Sequence, residues 1–189
     1  MNNTIPDKAY QWTASEKASP IDEQYYCQTR DTFQARLDKM VRFLLTDAII
    51  AENNVYLLAA IAGEIGNNSF DHNMGNWPDA PGIFFGYESA DNTVTVALAD
   101  RGRGVLETLR RVRPELDSDA AALQVAFTER LSGRAPESRG NGLKFVKESL
   151  KEANKHLTFT SKTAKATLNQ TMEINEVEKI NGCLAVITN

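Results

Sequence analysis

Glu64, Asn68 and His72 fall four residues apart near the end of an apolar helical run, in the stretch GEIGNNSFDH (63–72). At about 100° per residue they lie within roughly 80° of one another, on one helix face. An Asn amide oxygen is a hard ligand suited to Mg2+, a cation that keeps several waters and leans on substrate phosphates. A Glu one turn earlier can orient or deprotonate a water or hydroxyl beside that cation. Two further segments place polar residues or glycines where the local pattern wants packing. Asp100-Arg101-Gly102-Arg103-Gly104 brings a carboxylate to the end of a β-like run. Its glycines let the backbone turn sharply or approach a ligand closely. A buried carboxylate there can accept a hydrogen bond from an exocyclic amine such as that of adenine. Arg139-Gly140-Asn141-Gly142-Leu143 opens a later helix, with Arg134 and Lys144 nearby. Bared N–H groups at a helix start favour an anion. Taken singly, each segment also has a plainer reading: a helix with satisfied polar residues, a turn, and a glycine-rich loop.

The elements that must carry these residues follow from periodicity. Residues 1–28 are polar and irregular, with Pro6 and Pro20, and are expected to form an arm, a short strand or a homodimer contact. From Asp31, Phe33, Leu37, Met40, Val41, Leu44, Leu45 and Ala48 recur at helical spacing to about Ile50. Asn53 or Asn54 is placed to cap a second helix running to about His72. Its first half is apolar nearly all round, so it should be buried on more than one side. Two β-like runs follow, IFFGYE (83–88) and TVTVALAD (93–100), joined by a turn, with Val94, Val96 and Leu98 alternating toward one face. Helical patches occupy 105–138, then a helix after Asn141-Gly142, then LTFTS, ATLNQTMEI and CLAVIT as strands. This order predicts an α+β fold: a two-layer sandwich with a mixed, mainly antiparallel sheet and helices on one face. An N-terminal extension (1–30) would precede one domain (31–189).

Composition narrows the classes. With 189 residues, 42% apolar and 24% charged, the chain has length for one real core. A net charge of −4 argues against a nucleic-acid binder. Cys27 and Cys183 make no metal or disulfide framework, which points to a reducing cytoplasm. The polar start is unlike a secretory signal, and the longest oily run, around 55–62, is too short to span a bilayer. No G-x-x-x-x-G-K-[ST] and no strand-linked G-x-G-x-x-G occurs.

In this order the three segments resemble the nucleotide-binding boxes of the GHKL superfamily, the Bergerat-fold ATPases. Glu64 to Asn68 is similar to the first box, Asp100 to Gly104 to the second, and Gly140 to Leu143 to the third. The row of Glu64, Asn68 and His72 is closest to the stand-alone anti-sigma-factor serine kinases. The resemblance implies ATP and Mg2+ as cofactors. It implies Asn68 on the metal, Asp100 on the adenine amine, and Gly102 and Gly104 shaping the adenine side. Arg139, Gly140, Asn141, Gly142 and Leu143 would cradle phosphates, with 105–139 as the lid and Arg134 or Arg139 reaching the terminal phosphate. Glu64 would be the catalytic carboxylate, acting on a serine or threonine hydroxyl of a partner or on water. Where the family often carries Gly-Thr before its final strand, this chain has Gly182-Cys183. That implies a weaker or water-mediated adenine contact.

The expected function is therefore a Mg-ATP-dependent serine/threonine kinase acting on a regulatory protein partner. The alternatives are a nucleotide-gated interaction module with little catalysis, and a scaffold with a vestigial pocket.

Overall fold

The computed structural model describes residues 4–73, 76–129 and 142–189. The opening segment is more ordered than its polarity suggests. It holds a helix, α1 (Ile5–Ala14), and a two-residue edge strand, β1 (Tyr26–Cys27). The Thr4 hydroxyl accepts from the Asp7 amide while the Asp7 carboxylate turns back to the Thr4 amide, a capping box that fixes where α1 begins. Pro6 in the first turn needs no donor there.

Next come α2 (Arg30–Thr46), capped by Thr29, and α3 (Glu52–Asn73). The two helices pack closely because α3 is glycine-rich on the side that meets α2. A Cβ at Gly66 would overlap the Phe33 ring, and one at Gly63 would stand 3.3 Å from Leu37 Cδ2. The same helix is thus free to present Glu64 and Asn68 elsewhere.

Strands β2 (Ile83–Ala90) and β3 (Thr93–Asp100) form a hairpin in register from Ile83 opposite Asp100 to Ala90 opposite Thr93. Asp91 and Asn92 at its tip take φ of 49° and 62°, the left-handed pair that suits the twist of a two-residue hairpin. The insert then gives α4 (Val105–Leu109) and α5 (Asp119–Thr128), the latter capped by Ser118. After α6 (Gly142–Glu152) come β4 (His156–Ser161), β5 (Ala164–Leu168), β6 (Met172–Glu176) and β7 (Cys183–Thr188). The stretch expected as a single β-rich segment after Ala166 is two strands, turned by Asn169, whose side chain accepts from the Thr171 amide.

The sheet order is β1-β2-β3-β7-β4-β5-β6, with every neighbouring pair antiparallel. The chain is an α+β two-layer sandwich, as the element order predicts. The main core lies between the sheet and the later helices, and takes Val94, Val96 and Leu98 from β3. Two features depart from the expectation: the sheet is not mixed, since every described strand pair is antiparallel, and its rear face is covered as well. The opposite face of β3 carries Ala97 and Ala99, and against these small side chains α1 seats Ile5, Ala9 and Trp12 with Phe84 and Leu184. Helices therefore cover both faces, α1 alone taking the rear among the described helices. No described helix is long and apolar enough to cross a membrane.

Candidate functional site

The last turns of α3 organise the site. Glu64 and Asn68 are half-buried, and both lie beside the first residue of α6. A Cβ on Gly142 would run into the Glu64 carboxylate and stand 3.1 Å from Asn68 Nδ2. Only glycine permits that approach. A carboxylate at a helix start also interacts favourably with the helix dipole. Thus the first and third sequence segments meet, side chain against backbone. Leu143, the next residue, is partly buried and packs against the main core, which anchors the start of α6.

The second segment joins the same helix one residue further on. Asp100 ends β3 and is buried. Its Oδ2 accepts from the Ser69 hydroxyl at 2.7 Å, and its Oδ1 from the Gly102 amide at 2.8 Å. Ser69 follows Asn68 directly, so consecutive residues of α3 reach the two clusters. A carboxylate has about four acceptor positions, so Asp100 keeps capacity for a further donor. Burial pushes its carboxyl above the ordinary range; the Ser69 and Gly102 hydrogen bonds, the Lys162 charge and a Cys183 backbone hydrogen bond pull it down.

Gly182 lies over this carboxylate with φ of +75°, and a Cβ there would stand 2.6 Å from both Asp100 Oδ1 and the Gly102 amide nitrogen. Cys183 pairs with Asp100 across β3–β7 and with Ser161 across β4–β7. Burial first, then the Asp100 charge, raises its thiol well above the usual range, so it remains a neutral thiol. The fold therefore puts Gly182-Cys183 beside Asp100. Gly104, at φ of +81°, precedes α4 and packs against Ser161 and Lys162.

Several residues here were given no role by the sequence. Asn73 is buried, donates to Ser69 O and accepts from the Arg103 amide at 3.0 Å, holding the loop after Asp100. Arg101 is a scaffold residue. Its buried guanidinium meets Asp79 at 2.5 Å and donates to the carbonyls of Trp12, in the last turn of α1, and of Ser15 and Glu16, just past its end. Ser69 and Asn73, at i+5 and i+9 from Glu64, were legible as further polar residues in a buried helix; the partners of Arg101 were not. His72 is half-buried on α3. Arg134, Arg139, Gly140 and Asn141 lie outside the described residues.

The acceptor capacity left on Asp100 and the amide of Asn68 are groups that an amine and a hard cation could use. Among the described residues, no group of three His, Cys, Asp or Glu side chains is placed to hold a metal unaided. A cation at the Asn68 amide oxygen would complete its shell with water and phosphate oxygens, as Mg2+ does. Comparison with protein-family models gives no match, and neither does comparison with curated proteins.

Proposed function

We propose that this chain is a GHKL-type Mg-ATP-binding regulatory domain that phosphorylates a serine or threonine of a partner regulatory protein. The observation that carries the reading is the convergence on consecutive residues of α3. Asn68 and Glu64 meet the start of α6, while Ser69 holds Asp100. Bound Mg-ATP would supply the transferable γ-phosphoryl group. Asp100 would accept from the adenine amine and Asn68 would offer its amide oxygen to the cation. The amides at Gly142 and Leu143 would face phosphate, with Arg139, Gly140 and Asn141 completing the cradle. Glu64 would take the proton of the attacking hydroxyl as its oxygen bonds to phosphorus and ADP leaves. The two free thiols suit a cytoplasmic setting.

A second reading has an observation of its own. The Glu64 carboxylate occupies the surface of Gly142, so anything entering there shifts Glu64 or the start of α6. Occupancy would then be reported through α6 to a bound protein with little catalysis.

Thermal unfolding with Mg-ATP tests the common part. At a hundred times Kd, ligand adds about 2.7 kcal/mol, or roughly 5–10 °C for a chain of this size. Transfer of labelled phosphate to candidate partners then separates the readings, using Glu64→Gln. Transfer lost with ATP affinity kept supports the kinase. Nucleotide-dependent partner binding that survives the substitution supports the gate. No thermal shift at saturating Mg-ATP overturns both.

A further inference from the structure

The turn between β4 and β5 consists of Lys162 and Thr163, and Lys162 has φ of +51°. That left-handed region is uncommon for a residue with a side chain, and glycine or asparagine would enter it more easily. Residues held in such backbone regions cluster at functional sites. The contacts of Lys162 show what it holds. Its ammonium donates to the Gly102 carbonyl at 3.0 Å. Its backbone amide donates to the Gly182 carbonyl at 3.1 Å. Gly102 and Gly182 are the two backbone walls around Asp100. The aliphatic stem of Lys162 meanwhile packs on Gly104, where a Cβ would stand 3.0 Å from Lys162 Cγ.

We infer that Lys162 is a positioning residue of the nucleotide site: it clasps both walls of the Asp100 cradle and serves as the cationic partner of the buried carboxylate. The assignment rests on the nucleotide reading above. Among the described residues, the groups facing Asp100 from each packed element are few. Ser69 of α3 and the Gly102 amide donate to it; Cys183 of β7 faces it as a neutral thiol. Asp119 at the start of α5 is engaged by Thr163 and bears on Cys183. Arg101 turns its guanidinium away to Asp79 and α1. Among the described residues Lys162 supplies the positive charge, acting through the loop without a direct ion pair. An adenine amine donates best to an ionised acceptor. Lys162 therefore extends the pH range over which Asp100 is ready for the base.

Carbon-13 NMR of the Asp100 carboxyl, assigned with Asp100→Asn, tests this without nucleotide. Lys162→Met should move its titration to higher pH, and Lys162→Arg should restore it. Lys162→Gly is the control for folding, because glycine adopts this φ freely; it should shift the titration in the same direction as Lys162→Met. An unmoved midpoint in both uncharged variants overturns the assignment. Mg-ATP affinity, measured in parallel, should fall about tenfold more at the acid end than at pH 8 in Lys162→Met. An equal loss at every pH also overturns it, since that is the mark of a purely structural role. A shifted midpoint with no Mg-ATP binding even to the wild type leaves Lys162 in place and removes the nucleotide reading instead.

Discussion

At the scale of single residues, two glycines of the site serve different purposes, and replacing them should separate folding from function. Gly182 combines a φ of +75° with atoms that cannot step aside: a Cβ would meet the Asp100 carbonyl oxygen and the Gly102 amide nitrogen. Left-handed alanine and backbone overlap together should cost about 2–4 kcal/mol, read as a lower urea midpoint. Gly142 is the first residue of α6, in helical backbone that alanine also adopts, with a gain below the roughly 1 kcal/mol of a helix interior. Its Cβ would displace only the end of the Glu64 side chain. Gly142→Ala should therefore keep or raise the midpoint while phosphate transfer falls; unchanged transfer would remove the role given to the Glu64–Gly142 contact. Asp100 adds a pH signature. Burial holds its folded carboxyl above the ordinary value of 3.8, so the folded chain binds this proton more readily than the unfolded chain. Its contribution to stability is full below 3.8 and is lost as pH rises through the folded value. Asp100→Asn cannot ionise, so its stability relative to the wild type should rise with pH in acid urea titrations. Nucleotide affinity of the wild type should run the opposite way, increasing as Asp100 ionises.

Among the elements, α1 shows where reading the chain locally stops. Its start was written in Thr4, Pro6 and Asp7, and its buried face in Ile5, Ala9, Trp12 and Thr13. Ile5, Ala9 and Trp12 recur at i, i+4 and i+7, but this helical period is confined to ten residues inside an otherwise polar segment, and the expectation of an irregular arm misses it. Nothing near α1 indicates that it covers the rear of β3; the small Ala97 and Ala99 do that, more than eighty residues later. By contrast α3 was legible in both period and chemistry, because its apolar first half and its row of Glu64 and Asn68 lie on one continuous helix. Ser69 was equally visible as a residue, yet its bond to Asp100 depends on the sheet. Arg101 is the extreme case. It sits inside a glycine motif, but its acceptors are Asp79 and the carbonyls at the end of α1. Arg101→Met should leave those carbonyls without a donor and separate α1 from the loop after Asp100. The expected loss is about 3 kcal/mol, less than for a fully enclosed ion pair because Asp79 is 36% exposed. Arg101→Lys should rescue little, since one ammonium cannot reproduce the guanidinium fork. Urea unfolding checks the magnitude, and faster amide exchange in α1 checks the cause.

For the whole molecule, the decisive feature is the insertion of β7 between β3 and β4. It places Cys183 against Asp100 on one side and Ser161 on the other, which brings the β4–β5 turn to the loop that follows Asp100. With α3 crossing below and α6 beginning at Glu64, the site draws on segments more than a hundred residues apart. No single stretch holds these residues together; the sheet order assembles the wall. The opposite face carries a separate groove lined by Lys8, Trp12, Asp22 and Tyr25, screened from this wall by the sheet. Amide exchange with and without Mg-ATP distinguishes the two faces. Binding at the proposed site should slow exchange around 100–105, 161–163 and 182–184 and at the start of α6, leaving α1 and the residues around Tyr25 as they were. Protection confined to α1 and Tyr25 would place the ligand in the rear groove. The convergence of Glu64, Asn68 and Asp100 would then be a matter of packing rather than of nucleotide chemistry.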